Sequence, residues 1–232
     1  MTPDSAQRIQ SALSPARLRS YAPPLVACRD GESEVEAAVR LYQWHAELAA
    51  ALWPVMHVFE VTVRNAISDA ISVVHGTGWA HERSFLNKLP RAPRDRSTNK
   101  IVGYGPYEDL KTQSTKHPST GKVIPELKMA FWEKMLTSRH DQDFWERHLY
   151  VAFPCLPQGR NQVHRNVLRE KYENVRKIRN RLAHHESVAD PSRFDIDGIF
   201  NDIMTVLNWH SISLHDWVSS FERVQEVNSQ RP

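Results

Sequence analysis

The sequence contains little cysteine and little glycine. Only Cys28 and Cys155 occur among 232 residues, and there are 8 glycines. Two cysteines so far apart exclude a disulfide-bonded scaffold and a four-cysteine zinc site. This cysteine content is typical of a reducing compartment, so we expect a cytoplasmic protein.

Long hydrophobic runs are also missing. The N-terminal segment has no apolar core of the kind that a signal peptide needs. The longest apolar stretch, residues 48–59, contains Pro54 and His57 and is shorter than the roughly 20 residues that span a bilayer. We therefore expect no membrane segment.

The pattern that is present is helical. Hydrophobic residues make up 41% of the chain and charged residues 25%, as in ordinary globular domains. Apolar residues recur at helical spacing, and no clear alternating strand pattern occurs. The sequence predicts an all-α protein, a bundle of about seven helices that forms a single domain over residues 1–232.

Local signals predict where several helices begin and end. The Trp53-Pro54 pair predicts a break between a helix at about 32–52 and another at about 55–75. A long helix is predicted over about 159–183, and the last two helices over about 192–210 and 214–228.

Residues 91–122 have a different composition. From Lys88 to Lys122 there are eight Lys and Arg residues against three acids, among many Pro, Gly, Ser, Thr and Asn residues. We predict a mobile basic loop insertion with a short helix near 106–113.

The most informative segment is residues 160–187, RNQVHRNVLREKYENVRKIRNRLAHHES. Its helical part carries eight basic residues against two acids, which is either an electrostatic footprint for a polyanion or a solvated helix face. At about 100° per residue, Arg176, Arg179, Asn180 and His184 share an arc of about 140°. An arginine offers a planar fork of donors to phosphate, and a histidine can exchange a proton near neutral pH.

The neighbouring residues leave alternatives open. His184 is either a proton-transferring group or an ordinary helix C-cap cation. His185 is either a second catalytic group or a packing and orienting residue, and Glu186 either holds the tautomer of a histidine or lies on the surface. Trp79, beside Gly78, is the one tryptophan considered for RNA contact, although tryptophans in such patterns usually lie in the core.

Several segments together resemble a known family. Arg179, Asn180 and His184 match the Arg-polar-x3-His signature of the HEPN superfamily of helical ribonucleases. LWPVMHVFEVTVRNAISDAI (52–71), ELKMAFWEKML (126–136), FWERHLYVAFP (144–154) and RNRLAHHESV (179–188) resemble, in this order, the Abi-like (abortive infection) proteins of bacteria. The resemblance covers about residues 35 to 210.

The resemblance implies a metal-independent endoribonuclease of phage defence or toxin type that acts as a homodimer. It implies an RNA substrate, with tRNA among the candidates, and an antitoxin or regulatory partner as a further candidate partner. Carried over by position, the catalytic pair is Arg179 and His184, with Asn180 as the polar neighbour. HEPN toxins controlled by nucleotidyltransferase antitoxins carry a tyrosine two residues after the histidine. Here Glu186 stands at that position, which puts this mode of control in doubt.

The chemistry is consistent with these residues. RNA supplies its own nucleophile, the 2′-OH, so cleavage needs a base, an acid and positive charge, and no metal. A single catalytic histidine does not readily serve as both base and acid in one step. Two copies of the chain would supply two such histidines, one for each role. No HExxH motif and no pair of Glu-x-x-His motifs is present, so we expect no metal and no cofactor.

The predicted catalytic set is therefore Arg179, Asn180, His184 and His185. The predicted RNA-binding set is Arg176, Lys177, Arg181 and Arg64. Arg64 belongs to EVTVRN, which matches the family's first core helix, while an intrahelical ion pair with Glu60 is the alternative. The alternative function is a non-catalytic helical module that binds RNA or a protein with the same face.

Overall fold

The computed structural model describes all 232 residues, and its regular structure is helical throughout. Twelve α-helices follow one another without a strand, so the predicted all-α class is confirmed. They are α1 (Pro3–Leu13), α2 (Pro15–Leu18), α3 (Glu34–His75), α4 (Arg83–Lys88), α5 (Pro106–Lys116), α6 (Thr120–Val123), α7 (Met129–Met135), α8 (Glu146–Ala152), α9 (Asn161–Ala183), α10 (Ile196–His210), α11 (Ile212–Ser219) and α12 (Val224–Ser229). The prediction of about seven helices is too low because six of the twelve have only four to seven residues.

Helix α3 is a single helix of 42 residues, and the break predicted at Pro54 is wrong. A capping box starts it, in which Ser33 and Glu36 satisfy each other's backbone N–H groups. Pro54 has no N–H to donate to the Ala50 carbonyl. Because Ala50 and Pro54 are both exposed, water can donate a hydrogen bond to that carbonyl instead. Buried Leu52 and Val55 continue the apolar face across the proline and hold the helix together.

Helix α3 lies at the centre of the hydrophobic core. Eighteen of its residues are buried, and α1, α8, α10 and α12 pack against it. By length and composition alone it is the one helix apolar enough to cross a membrane. Of its most apolar window, 39% is buried inside the protein.

Helix α9 confirms the predicted long helix to within two residues at its start. Its buried side chains recur every three or four positions and face α10, α7 and α3. They are Leu168, Tyr172, Val175, Ile178 and Leu182. This register fixes which residues at the end of α9 point outward.

The predicted basic loop is partly helical. The short helix expected near 106–113 is confirmed and extends to Lys116 as α5. Leu110 and Val123 are fully buried in the core. The loop description is wrong for residues 114–116 and 120–122, which are helical. The single isolated bridge between Arg94 and Ile101 closes the preceding turn.

Two further predictions need correction. The last predicted helix is divided into α11 and α12, because Arg223 leaves the helical region at φ −133° while Val218 and Val224 stay buried on either side of the bend. Trp79 has no exposed surface, and its Nε1 donates to Ser68 Oγ at 3.1 Å. Trp79 is a core residue and is not available for RNA contact.

Candidate active site at the end of helix α9

The C-terminus of α9 ends in a tight hydrogen-bonded turn. His184 is the C-cap residue, and His185 adopts a left-handed conformation with φ +56°. The His185 N–H donates to the Leu182 carbonyl at 3.0 Å, and the Glu186 N–H donates to the Arg181 carbonyl at 2.8 Å. These two bonds are the Schellman motif, which ends a helix abruptly. Both candidate histidines therefore lie on a defined turn.

Both histidines are exposed, and neither imidazole is hydrogen-bonded within the chain. His184 occupies the C-cap position that its alternative interpretation requires, where the helix dipole favours a cation. An exposed imidazole without a protein partner is also what proton transfer to a bound substrate needs. His185 instead lines a cleft of about 510 Å³, together with Tyr42 and Trp53.

Replacing His185 with glycine is expected to stabilise the fold by about 1 kcal/mol, because glycine adopts the left-handed conformation without the steric penalty of a β-carbon. Urea unfolding measures the change, with His185→Asn as an intermediate control. A lower stability of His185→Gly would contradict this account of the turn. Retained RNA cleavage by the stabilised variant would assign His185 to packing, and lost cleavage would make it a second catalytic group.

Arg179 has a charge partner but unused donors. Its Nε lies 3.4 Å from Glu60 Oε2 on α3, and its guanidinium lies 5.9 Å from the centre of the Trp53 ring. The side chain is 33% exposed, and the buried Nε has no hydrogen-bond acceptor. The Nε faces Glu60, and because a third of the side chain is exposed, the rest of the guanidinium can donate to an anion at the surface.

The partner of Glu60 differs from the one expected. The intrahelical ion pair between Glu60 and Arg64 is not formed, because Glu60 faces α9 and pairs with Arg179. Arg64 makes no ion pair, and its buried Nε also lacks an acceptor. Arg64 does not line the clefts that surround the end of α9, and its RNA-binding role stays a prediction.

Three predicted residues line one cleft. Arg176, Arg179 and Asn180 face a space of about 380 Å³ between α9 and the segment before α7, together with Glu60. Arg176 is held there by a hydrogen bond and ion pair to Glu133, a residue only 8% exposed. The side-chain amide of Asn180 makes no hydrogen bond within the chain, and Asn180 also lines the groove on the other side of α9. His184 lines neither space and lies one turn beyond Asn180.

The cations of α9 do not form one stripe without ion pairs, which was one of the two interpretations of their pattern. Arg165 is 2% exposed and pairs with Asp141 inside the protein. Seven of the eight cations counted over residues 160–181 have an acidic partner. The pairs are Arg165–Asp141, Arg169–Glu173, Lys171–Asp202, Arg176–Glu133, Lys177–Glu173, Arg179–Glu60 and Arg181–Glu186. An anion site on α9 would therefore depend on the donors of individual side chains and not on the net charge of the helix.

Glu186 lies on the surface, which is the second of its two predicted roles. Its carboxylate lies 3.2 Å from Arg181 and makes no hydrogen bond to a histidine. Arg181 keeps a buried Nε without an acceptor and lies 4.7 Å from the centre of the Phe194 ring. Glu186 thus balances charge at the turn and leaves both imidazoles free.

A buried histidine anchors the chain just after the turn. The Val188 N–H donates to His45 Nε2 at 3.3 Å, and His45 Nδ1 lies 3.1 Å from the Tyr21 hydroxyl. Burial lowers the pKa of His45 to about 4, so its ring is neutral at physiological pH and can accept at Nε2. The proton then sits on Nδ1 and faces Tyr21. This network ties the turn to α3.

No group of three His, Cys, Asp or Glu side chains is placed to hold a metal ion. At the far end of α3, Asp143 contacts His75 Nε2 at 3.0 Å and also the Lys88 ammonium. A lysine occupies the place where a metal would need a further ligand, so this cluster is an ion-pair network.

Sequence reasoning missed the acids that orient the two arginines, and it missed Trp53. Glu60 and Glu133 come from helices more than 40 residues away in sequence, and no local spacing connects them to α9. Trp53 is 38% exposed, and a signal for it existed. Trp53, His57 and Glu60 recur at i, i+4 and i+7, which places them on one polar face of α3.

Comparison with known proteins identifies a family. The family model described as Abi-like protein matches residues 13–190, which is 178 of the 232 residues and includes α3, α7, α8 and α9. No curated protein and no solved structure matches the chain.

Proposed function

The chain belongs to the Abi-like protein family, which suggests a role in abortive infection as a defence against phage, and we propose that it acts there as a metal-independent endoribonuclease. The proposal includes membership of the HEPN superfamily. Its catalytic residues are His184 and Arg179, and Asn180 contacts a phosphate oxygen or orients the imidazole.

One observation carries this proposal. Arg179, whose side chain is 33% exposed and pairs with Glu60 through its Nε, and His184, whose imidazole is exposed, lie five residues apart at the same helix end. The arginine supplies charge and donors to a phosphodiester, and the histidine exchanges a proton.

The reaction needs two proton transfers. A base removes the proton of the 2′-OH, the 2′ oxygen attacks the adjacent phosphorus, and the P–O5′ bond breaks as an acid protonates the leaving oxygen. The products are a 2′,3′-cyclic phosphate and a 5′-OH. We propose that two chains form a homodimer in which one His184 is the base and the other is the acid, while Arg179 stabilises the negative charge on the phosphoryl oxygens.

The test uses the full chain and total RNA in excess EDTA. We expect cleavage without added metal, with 2′,3′-cyclic phosphate and 5′-OH ends found by end-specific ligation and sequencing. Analytical ultracentrifugation should find a dimer under the same conditions. Cleavage that requires a divalent metal and leaves 5′-phosphates would contradict the proposal. RNA binding without cleavage would favour a non-catalytic binding module.

A further inference from the structure

A groove of about 730 Å³ lies between the C-terminal half of α9 and the start of α10. Four cations line it, namely Arg176, Lys177, Arg181 and Arg193. Two acids, Asp195 and Asp202, lie on the same walls. Three of the cations pair with acids, namely Arg176 with Glu133, Lys177 with Glu173 and Arg181 with Glu186, and Arg193 forms no ion pair.

The two acids are already engaged within the protein. Asp202 accepts hydrogen bonds from Lys171 at 2.7 Å and from Asn174 at 3.1 Å. Asp195 caps α10 by accepting the Gly198 N–H at 2.8 Å. These bonds satisfy the carboxylates, so they oppose an incoming anion less than free carboxylates would.

Two of the cations share an aromatic ring. The guanidinium of Arg181 lies 4.7 Å and that of Arg193 lies 5.5 Å from the centre of the Phe194 ring. Arg193 is exposed and forms no ion pair, and the buried Nε of Arg181 has no acceptor. Guanidinium donors without acceptors beside a half-buried ring match a phosphate and its attached base.

The groove also leads to the proposed site of cleavage. At about 100° per residue, Lys177, Asn180 and His184 fall within about 60° of each other around α9. Lys177 and Asn180 line the groove, and His184 follows on the same side one turn later. A strand lying in the groove would therefore pass His184.

We infer that this groove binds single-stranded RNA next to the cleaved linkage. Arg181 and Arg193 hold a neighbouring phosphodiester, and an unpaired base packs against Phe194. The inference rests on the proposed nuclease function for its placement of the strand. A base that is stacked in a duplex is not free to reach Phe194, so the groove selects unpaired RNA.

The test measures binding by fluorescence anisotropy with a labelled 2′-O-methyl oligonucleotide, which lacks the 2′-OH nucleophile and stays intact. Arg193→Ala should weaken binding several-fold and reduce the slope of log affinity against log salt by about 1. Phe194→Leu keeps an apolar side chain for folding and should weaken binding about tenfold at an unchanged salt slope. Arg147→Ala, which removes an exposed arginine of α8 without an ion pair, is the matched control and should bind as wild type.

The outcomes separate this inference from the proposed function. If both groove variants bind with wild-type affinity, or if the wild-type protein does not bind, the inference that the groove binds RNA is overturned. If Phe194→Leu loses as much affinity for a matched duplex oligonucleotide as for the single strand, the inference is also overturned, because Phe194 would then not select unpaired RNA. If the groove variants weaken binding but unmodified RNA is never cut, the groove stands and the nuclease proposal fails.

Discussion

Replacing His184 with alanine is expected to lower the rate of RNA cleavage by about 10²- to 10⁴-fold, the usual contribution of a general acid or base. The imidazole is exposed on the turn after α9 and makes no hydrogen bond within the chain. Its loss therefore removes proton transfer without removing packing. The measurement is the initial rate on a single RNA substrate in EDTA.

The fold should be unchanged in this variant, with a thermal midpoint close to that of the wild type. His81→Ala is the matched control, since His81 is also exposed but lies at the far end of α3. His81→Ala should cleave at the wild-type rate. Full activity of His184→Ala would contradict the assignment of His184 as a catalytic residue.

A mixed dimer separates a composite site from two independent sites. A heterodimer of wild-type and His184→Ala chains, purified through two different tags, has only one imidazole for two proton transfers. We expect it to be nearly as inactive as the variant homodimer. Half of the wild-type activity would mean that each chain cuts on its own.

Replacing Trp79 with alanine is expected to destabilise the protein by about 3–5 kcal/mol, the range for removing a large buried aromatic side chain. The ring is fully buried against Phe85, Phe131 and Trp132, and its Nε1 donates to Ser68. Truncation leaves a cavity and a serine hydroxyl without its donor. Urea unfolding monitored by circular dichroism measures the loss.

Trp217→Ala is the control for this prediction. Trp217 is 56% exposed and contacts Phe221 edge-on. Its removal should cost less than about 1 kcal/mol. Similar losses for the two tryptophans would show that burial does not decide their contributions.

The helical class and α9 could be predicted because their signals are local. Leu168, Tyr172 and Val175 repeat at helical spacing, and the same spacing fixed the outward arc of Arg176, Asn180 and His184. Pro54 misled the prediction for the same reason. A local rule places a break there, whereas the buried residues on both sides of the proline, contributed by tertiary packing, keep α3 continuous.

The parts of the site that could not be predicted depend on contacts between distant segments. Glu60 meets Arg179 from α3, and Glu133 meets Arg176 from α7. The ring of Phe194 reaches Arg181 only because α10 folds back along α9. Periodicity places a residue on a face of a helix, but it does not say which helix covers that face.

The Schellman closure of α9 has a consequence for how charge on a transition state can be stabilised. The turn commits the amides of His185 and Glu186 to carbonyls of the preceding helix, so the turn offers no cradle of free backbone N–H groups to an oxyanion. In the proposed mechanism the stabilisation therefore comes from side chains, with Arg179 as the main donor. We infer that a lysine at position 179, which keeps the charge but loses the planar fork, could not substitute for it.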